Sequence, residues 1–205
     1  MVKKSNIDMI RFDGGKLCLN YINTIHNRFD EPWEDYFQSL DDVFQWAFRA
    51  GILNSNRVKS LKNNLQSRVV EGSEILKEAI YLREVLYKMF TCIARDETIP
   101  ENNLTEFNDV ISNYFSHLKV SLKDNSYIEE WNYPEDSFSM IIAPILKDAY
   151  YLVLYTDHRR IRECPNCGWI FFDSSKNGMR RWCSMATCGS NVKALKWYHK
   201  QKTMK

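Results

Sequence analysis

Along most of the chain apolar residues recur every three or four positions, the repeat of helices with one buried face. Leu40, Val43, Phe44 and Ala47 fall on one such face, with Ser39 and Asp42 forming a capping box before it and Gly51 placed to stop it. Val58, Leu61, Leu65 and Val69 repeat the pattern. Ser73 then reads as the cap of a longer helix that buries Ile75, Ala79, Leu82, Leu86, Met89 and Ile93. Pro100 suits a first helical position ahead of Leu104, Phe107, Ile111, Tyr114 and Leu118. The segment HLKVSLKDNSYIEEW follows another rule, alternating on either side of Asp124-Asn125 as a short β-hairpin does. Helical spacing resumes through Phe138, Ile141, Ile145, Ala149 and Leu152, where Pro144 is expected to kink or split the helix. Before all of these come a short extended segment, a turn at Gly14-Gly15 and the run KLCLNYINTIHNR, whose spacing fits strand or helix.

Near the C-terminus the informative signal is no longer periodicity. Cys164, Cys167, Cys183 and Cys188 follow the order C-x2-C, fifteen residues, C-x4-C, whereas the rest of the chain holds only Cys18 and Cys92. Two close pairs brought together supply the tetrahedral four-sulfur shell that zinc prefers, so one structural Zn2+ is expected. A rubredoxin-like iron centre uses similar pairs and stays open. Two disulfides would need an oxidising compartment, and the start MVKKSNIDMIRFD has neither an apolar core nor a cleavage site for export. Four thiolates leave no open position for a reactive water, which argues against catalytic zinc. The knuckle Cys164 to Gly168, the strand-like stretch Trp169 to Phe172, a turn at Asn177-Gly178 and a return through Arg180-Arg181-Trp182 read as a knuckle and hairpin. Ser190 then caps a helix with Lys193, Lys196 and Lys200 on one face. So small a module takes most of its folding energy from metal, about 10 kcal/mol, and is expected to be disordered without it.

Charge separates this module from the rest. Residues 1–157 carry 17 Lys or Arg against 24 Asp or Glu, a net of −7, while residues 158–205 carry 11 against Glu163 and Asp173, a net of +9. That asymmetry is the footprint of an acidic body with a polyanion-binding tail. At 205 residues, 44% of them hydrophobic, the chain can bury a core and append a small module, with the boundary near residue 158. Phe138 to Tyr155, the richest apolar stretch, is broken by Pro144, Lys147 and Asp148; no membrane span is expected, and the location expected is the cytoplasm. No Gly-rich phosphate loop, G-x-S-x-G or open metal motif points to an enzyme.

The string CGWIFFDSSKNGMRRWCSMATCGSN resembles the CGNR zinc finger family of bacterial proteins, through the four cysteines, Gly168-Trp169, Asn177-Gly178, Arg180-Arg181-Trp182 and the residues from Ser184 to Cys188. Upstream, GGKLCLNYINT and LDDVFQWAFRAGIL are similar to the ABATE-type domain that usually accompanies this finger. The resemblance implies a stress-linked bacterial transcription regulator whose finger binds double-stranded DNA. The chain departs from the pattern where Cys188-Gly189-Ser190-Asn191 replaces Cys-Gly-Asn-Arg, and where Asn20-Tyr21 replaces Asp-Phe. Asn191 lacks the bidentate reach of arginine to phosphate or guanine but can pair with adenine.

The expected architecture is mainly α (α+β): a helical domain of residues 1–157 with one short β-hairpin, and a zinc module of residues 158–205. Lys176, Arg180, Arg181, Asn191, Lys193, Lys196 and Lys200 are the candidates for nucleic-acid contact. Trp169, Trp182 and Trp197 are expected to form a small core over the metal. Asn23, Thr24 and Arg28 are candidates for a pocket holding a small-molecule effector, although bonding to nearby backbone is the simpler role for Asn and Thr there. Oligomerisation is open. The rival reading is an adaptor whose metal module docks on an acidic protein or on its own acidic body, and RNA binding is a third.

Overall fold

The computed structural model describes residues 7–65 and 69–203. Seven α-helices are described: α1 (Leu17–Ile22), α2 (Leu40–Arg49), α3 (Ser55–Leu65), α4 (Val69–Ala94), α5 (Glu101–Phe115), α6 (Ser139–Tyr155) and α7 (Ser190–Thr203). Two antiparallel two-stranded sheets accompany them: β1 (Leu118–Lys123) with β2 (Ser126–Trp131), and β3 (Ile161–Glu163) with β4 (Ile170–Phe172). The apolar run after Gly15 resolves as helix. Cys18, Leu19, Tyr21 and Ile22 are completely buried, because α1 packs against α4, α6 and β4. Asp148 of α6 accepts the backbone N–H of Cys18 at 2.9 Å in the first turn of α1.

Around α1 the helices α2 to α6 close a single core. Tyr21 donates its hydroxyl to the Ala79 carbonyl of α4 at 2.6 Å, and its ring meets Phe37 and Trp46 at 5.8 and 5.3 Å. The capping box at α2 is complete: the Ser39 hydroxyl accepts the Asp42 N–H, and the Asp42 carboxylate accepts the N–H of Ser39 at 2.7 Å. Gly51 ends that helix at φ +76, a conformation that side chains disfavour. Asp124 and Asn125 both take positive φ, 48 and 60, so β1 and β2 join through the primed two-residue turn that fits strand twist.

Several expectations are corrected. Ser73 lies inside α4, which starts at Val69, and so caps nothing. Pro100 precedes α5 rather than opening it, Leu104 is exposed, and Leu118 belongs to β1. Pro144 neither splits α6 nor ends it; it lies in the second turn, where the missing N–H affects one bond, and Ile141, Ile142, Ile145 and Leu146 hold the helix in the core. The side chains of Leu65 and Val69 lie outside the described residues.

The C-terminal segment differs most. β4 pairs with β3, through Ile161–Phe172, Arg162–Phe171 and Glu163–Ile170, so the hairpin closes across the knuckle and residues 180–182 form no strand. This hairpin rests on α4 and α1 rather than chiefly on α6. Trp169, Ile170 and Phe171 are buried with the main core. Trp182 is half-buried, while Trp197, expected over the metal, is 66% exposed.

The two acids at the start of α2 are expected to behave differently on truncation. Asp42→Ala should lower stability by about 1–2 kcal/mol in urea unfolding, because it removes the cap. Asp41→Ala, which loses only an exposed pair with Lys62, should change it by less than ~1 kcal/mol.

Candidate metal centre

Four chain segments converge on one small volume. Cys164 follows β3, Cys167 sits in the knuckle, Cys183 ends the loop after Arg180, and Cys188 lies in the turn Met185–Gly189 that runs straight into α7. All four are buried, and their Sγ atoms lie within 4.8 Å of one another. Cys167–Cys183, Cys183–Cys188 and Cys188–Cys167 are 3.7, 3.5 and 3.6 Å apart. A tetrahedral shell with zinc–sulfur bonds of about 2.3 Å spaces its sulfurs by about 3.8 Å, whereas a disulfide requires about 2.0 Å. The spacing therefore fits four ligands on one ion and excludes a bond between them.

The electrostatics agree. Cys167 and Cys183 hold the Cys164 thiol far below its usual range, helped by backbone N–H groups of Cys183 and Asn166, while Cys164 drives both partners upward. Four thiolates this close repel one another, and a divalent cation is what allows all to ionise. A structural zinc ion supplies that charge and does no further chemistry in a closed four-sulfur shell.

Local backbone geometry explains the knuckle. Gly168 adopts φ +69 and donates to the Cys164 carbonyl at 2.9 Å, and a Cβ there would fall 2.7 Å from Cβ of Arg28. Only glycine lets the knuckle press against the body so closely.

The N-terminal motif forms the other side of this junction. Asn23 bonds both the N–H and the C=O of Ile170, at 3.0 and 2.8 Å, taking the place of a neighbouring strand for β4. Trp169 donates its indole N–H to the Ile25 carbonyl at 2.7 Å, and the Arg28 N–H bonds the Cys167 carbonyl at 2.9 Å. Thr24 bonds the Tyr21 carbonyl and receives Arg83. The guanidinium of Arg28 is buried on Glu84 and the Ile22 carbonyl, with its centre 3.9 Å from the Tyr87 ring. All three pocket candidates are thus buried and bonded within the protein.

Sequence reasoning missed the charges that complete this junction. Arg83 makes two 2.7 Å bonds to Asp35 and another to Glu84, which also serves Arg28. Burial pulls the Arg83 proton affinity down, yet Asp35 and Glu84 outweigh it; for Arg28 burial prevails, because Glu84 is its one carboxylate partner, and its affinity stays below the usual value. The available signal was position: Arg83 stands four residues after Ala79 and three before Leu86, on the buried stripe of α4. Just past the end of that helix, Arg95 grips Glu163 of β3 at 2.6 and 2.9 Å.

The predicted nucleic-acid residues fall into two groups. Arg180 spends its guanidinium inside the protein, donating to the carbonyls of Asp13, Trp182 and Cys183 and lying 4.4 Å from the Phe171 ring centre. Its backbone N–H, with that of Ser175, binds the buried Asp173 carboxylate and shapes the loop between them. Lys176, Arg181, Asn191, Lys193 and Lys200 are exposed, with Arg181 lying over Trp182 at 4.8 Å. The Lys196 side chain lies outside the described residues. Among the described elements, α7 packs chiefly on the turn that carries Cys188.

Residues 15–154 match the ABATE family, described as "Putative stress-induced transcription regulator", over more than half the chain. The chain belongs to the ABATE family. Residues 160–201 match the CGNR zinc finger, which contains the four-cysteine cluster. No curated protein matches the chain. In this ABATE protein, among the described residues, no helix is long and apolar enough to cross a membrane.

Two variants separate the metal from the junction. Cys183→Ser should lower bound zinc from one per chain to a small fraction by elemental analysis. In that variant, amide exchange should rise in residues 174–203 but not in β3 and β4, whose burial does not depend on the ion. Asn23→Ala, which orphans two buried backbone groups of Ile170, should cost roughly 2–5 kcal/mol in urea unfolding while zinc still binds.

Proposed function

We propose that this protein is a cytoplasmic bacterial transcription regulator that binds double-stranded DNA through its zinc module. In this reading the zinc module begins near residue 158, and its exposed part, with Lys176, Arg181 and α7, meets the nucleic acid while β3 and β4 stay rooted in the main core. The observation that carries it is the coupling of Cys188 to α7: the ligand sits in the turn from which the helix departs, so metal binding sets the direction of a basic helix with little other support. The +9 charge of the module against −7 for the rest supports a polyanion as the partner.

Each cation then has its own task. Arg181, Lys176, Lys193, Lys196 and Lys200 neutralise phosphates, which positions the module without reading sequence. Arg180 acts by holding the loop against Phe171 and Asp13 rather than by touching DNA. Asn191, exposed in the first turn of α7, is the candidate for an adenine edge. The helical domain sets affinity through its junction with β4 and the knuckle, and the activity is binding rather than catalysis.

A specific observation keeps the RNA reading in the test: Trp197 and Tyr198 are exposed on α7, where single-stranded bases could stack. Anisotropy of a labelled random-sequence duplex, titrated with zinc-loaded protein across a range of salt, should show affinity falling steeply as salt rises. Arg181→Ala and Lys193→Ala should each weaken binding and reduce the slope of log K against log salt by about 0.9 per lost phosphate contact. Tighter binding to single strands would favour RNA, and no binding at low salt would favour the adaptor.

A further inference from the structure

The β1–β2 hairpin was written with one apolar face, and half of that face is left in water. Register places Leu118, Val120 and Leu122 on the same side as Tyr127, Glu129 and Trp131. At the base, Trp131 packs on Phe115 at 5.7 Å, which in turn meets Tyr150 of α6 at 5.3 Å. Toward the tip Val120, Leu122 and Tyr127 are exposed, Tyr127 to 82%. Lys147 of α6 pairs with Glu129 of the hairpin and lies 5.6 Å from the Tyr151 ring centre, so the exposed end of α6 continues the same surface. Tyr151, Leu154 and Tyr155 extend it, with Tyr151 and Tyr155 in contact at 5.4 Å.

We propose that this face, formed by the outer half of the hairpin and the C-terminal turns of α6, is the surface through which two copies of the chain associate. The six exposed side chains present on the order of 700 Å² to water, given 150–250 Å² for a large aromatic. A standard-size interface removes about 800 Å² from each partner, so one copy of this patch against another reaches the size that stable association needs. An isolated two-stranded sheet with an apolar face in solvent is marginal, which gives the hairpin a reason to be covered.

Charge selects a second copy as the occupant. On this face Lys147 and Glu129 pair with each other, while Lys119, Lys123 and Glu130 lie on the opposite side of the hairpin and Asp148 is turned inward to Cys18, so the face is close to neutral. A two-fold contact sets the same surface against itself, and such a surface tolerates its own image. A second exposed apolar group, Leu195, Trp197 and Tyr198 on α7, sits among lysines of the +9 module and would repel a second copy.

Sedimentation equilibrium of the full zinc-loaded chain tests the proposal. At ~10 µM protein, a concentration at which standard-size interfaces are populated, the wild type should have twice the monomer mass. Tyr127→Lys and Tyr155→Lys lie on different elements and are both exposed, so each should leave helical circular dichroism and zinc content unchanged. Each should raise the dissociation constant at least ~10-fold, since both put a desolvated charge in the contact, whereas Trp197→Lys on α7 should leave it unchanged. A monomeric wild type would overturn the proposal and leave the face to a partner of different sequence. A dimer insensitive to both tyrosine changes, or one dissociated by Trp197→Lys, would overturn it as well.

Discussion

Four buried sulfurs, three of them spaced at 3.5–3.7 Å, can carry the charge that ligation requires only around a cation, and the C-terminal quarter is arranged by that constraint. Cys164 and Cys167 belong to a hairpin rooted in the helical core. Cys183 ends a loop held by Arg180 and the Asp173 carboxylate, and Cys188 lies in the turn that opens α7, a helix with few other ties. The ion therefore joins a fixed part to a loosely supported helix. What it fixes is the start of α7, the described element with the most lysines.

The rooted part depends on a second feature, the burial of charge between α4 and the segment after α1. Arg83 and Arg28 are matched by Asp35 and Glu84, so the junction is neutral as a set and costly to disturb singly. Removing one member leaves an unpaired buried charge; removing a complementary pair costs less. Asn23 adds directional bonds that only β4 in its observed position satisfies. Together these contacts make the N-terminal motif part of the support for the metal knuckle, which explains its concentration of Asn, Thr and Arg without a ligand.

Much of this was legible in the sequence, and the reasons are local. A capping box, a primed turn and closely spaced cysteine pairs are each decided within a few residues, so Ser39–Asp42, Asp124–Asn125 and the four ligands read correctly. What failed depended on distant partners. β4 was expected to pair with residues 180–182 because Asn177-Gly178 looks like a hairpin turn; the Asp173 carboxylate instead organises that loop, and β3 supplies the partner strand from before the knuckle. Arg83 lies on an apolar stripe, but Asp35, the partner that permits its burial, is 48 residues away. Arg180 could not be distinguished from Arg181 by composition, since only the fold turns one inward onto backbone carbonyls and leaves the other on the surface.

The most direct test of the coupling between metal and function is the duplex affinity of one protein preparation before zinc removal, after chelation, and after zinc is restored, at constant low salt. If the ion directs α7 and its lysines, affinity should fall by at least ~10-fold on chelation and return with zinc, in line with the folding energy that structural metal sites supply. Unchanged affinity in the zinc-free protein would contradict the account, because the basic residues would then bind without the arrangement that the cluster imposes.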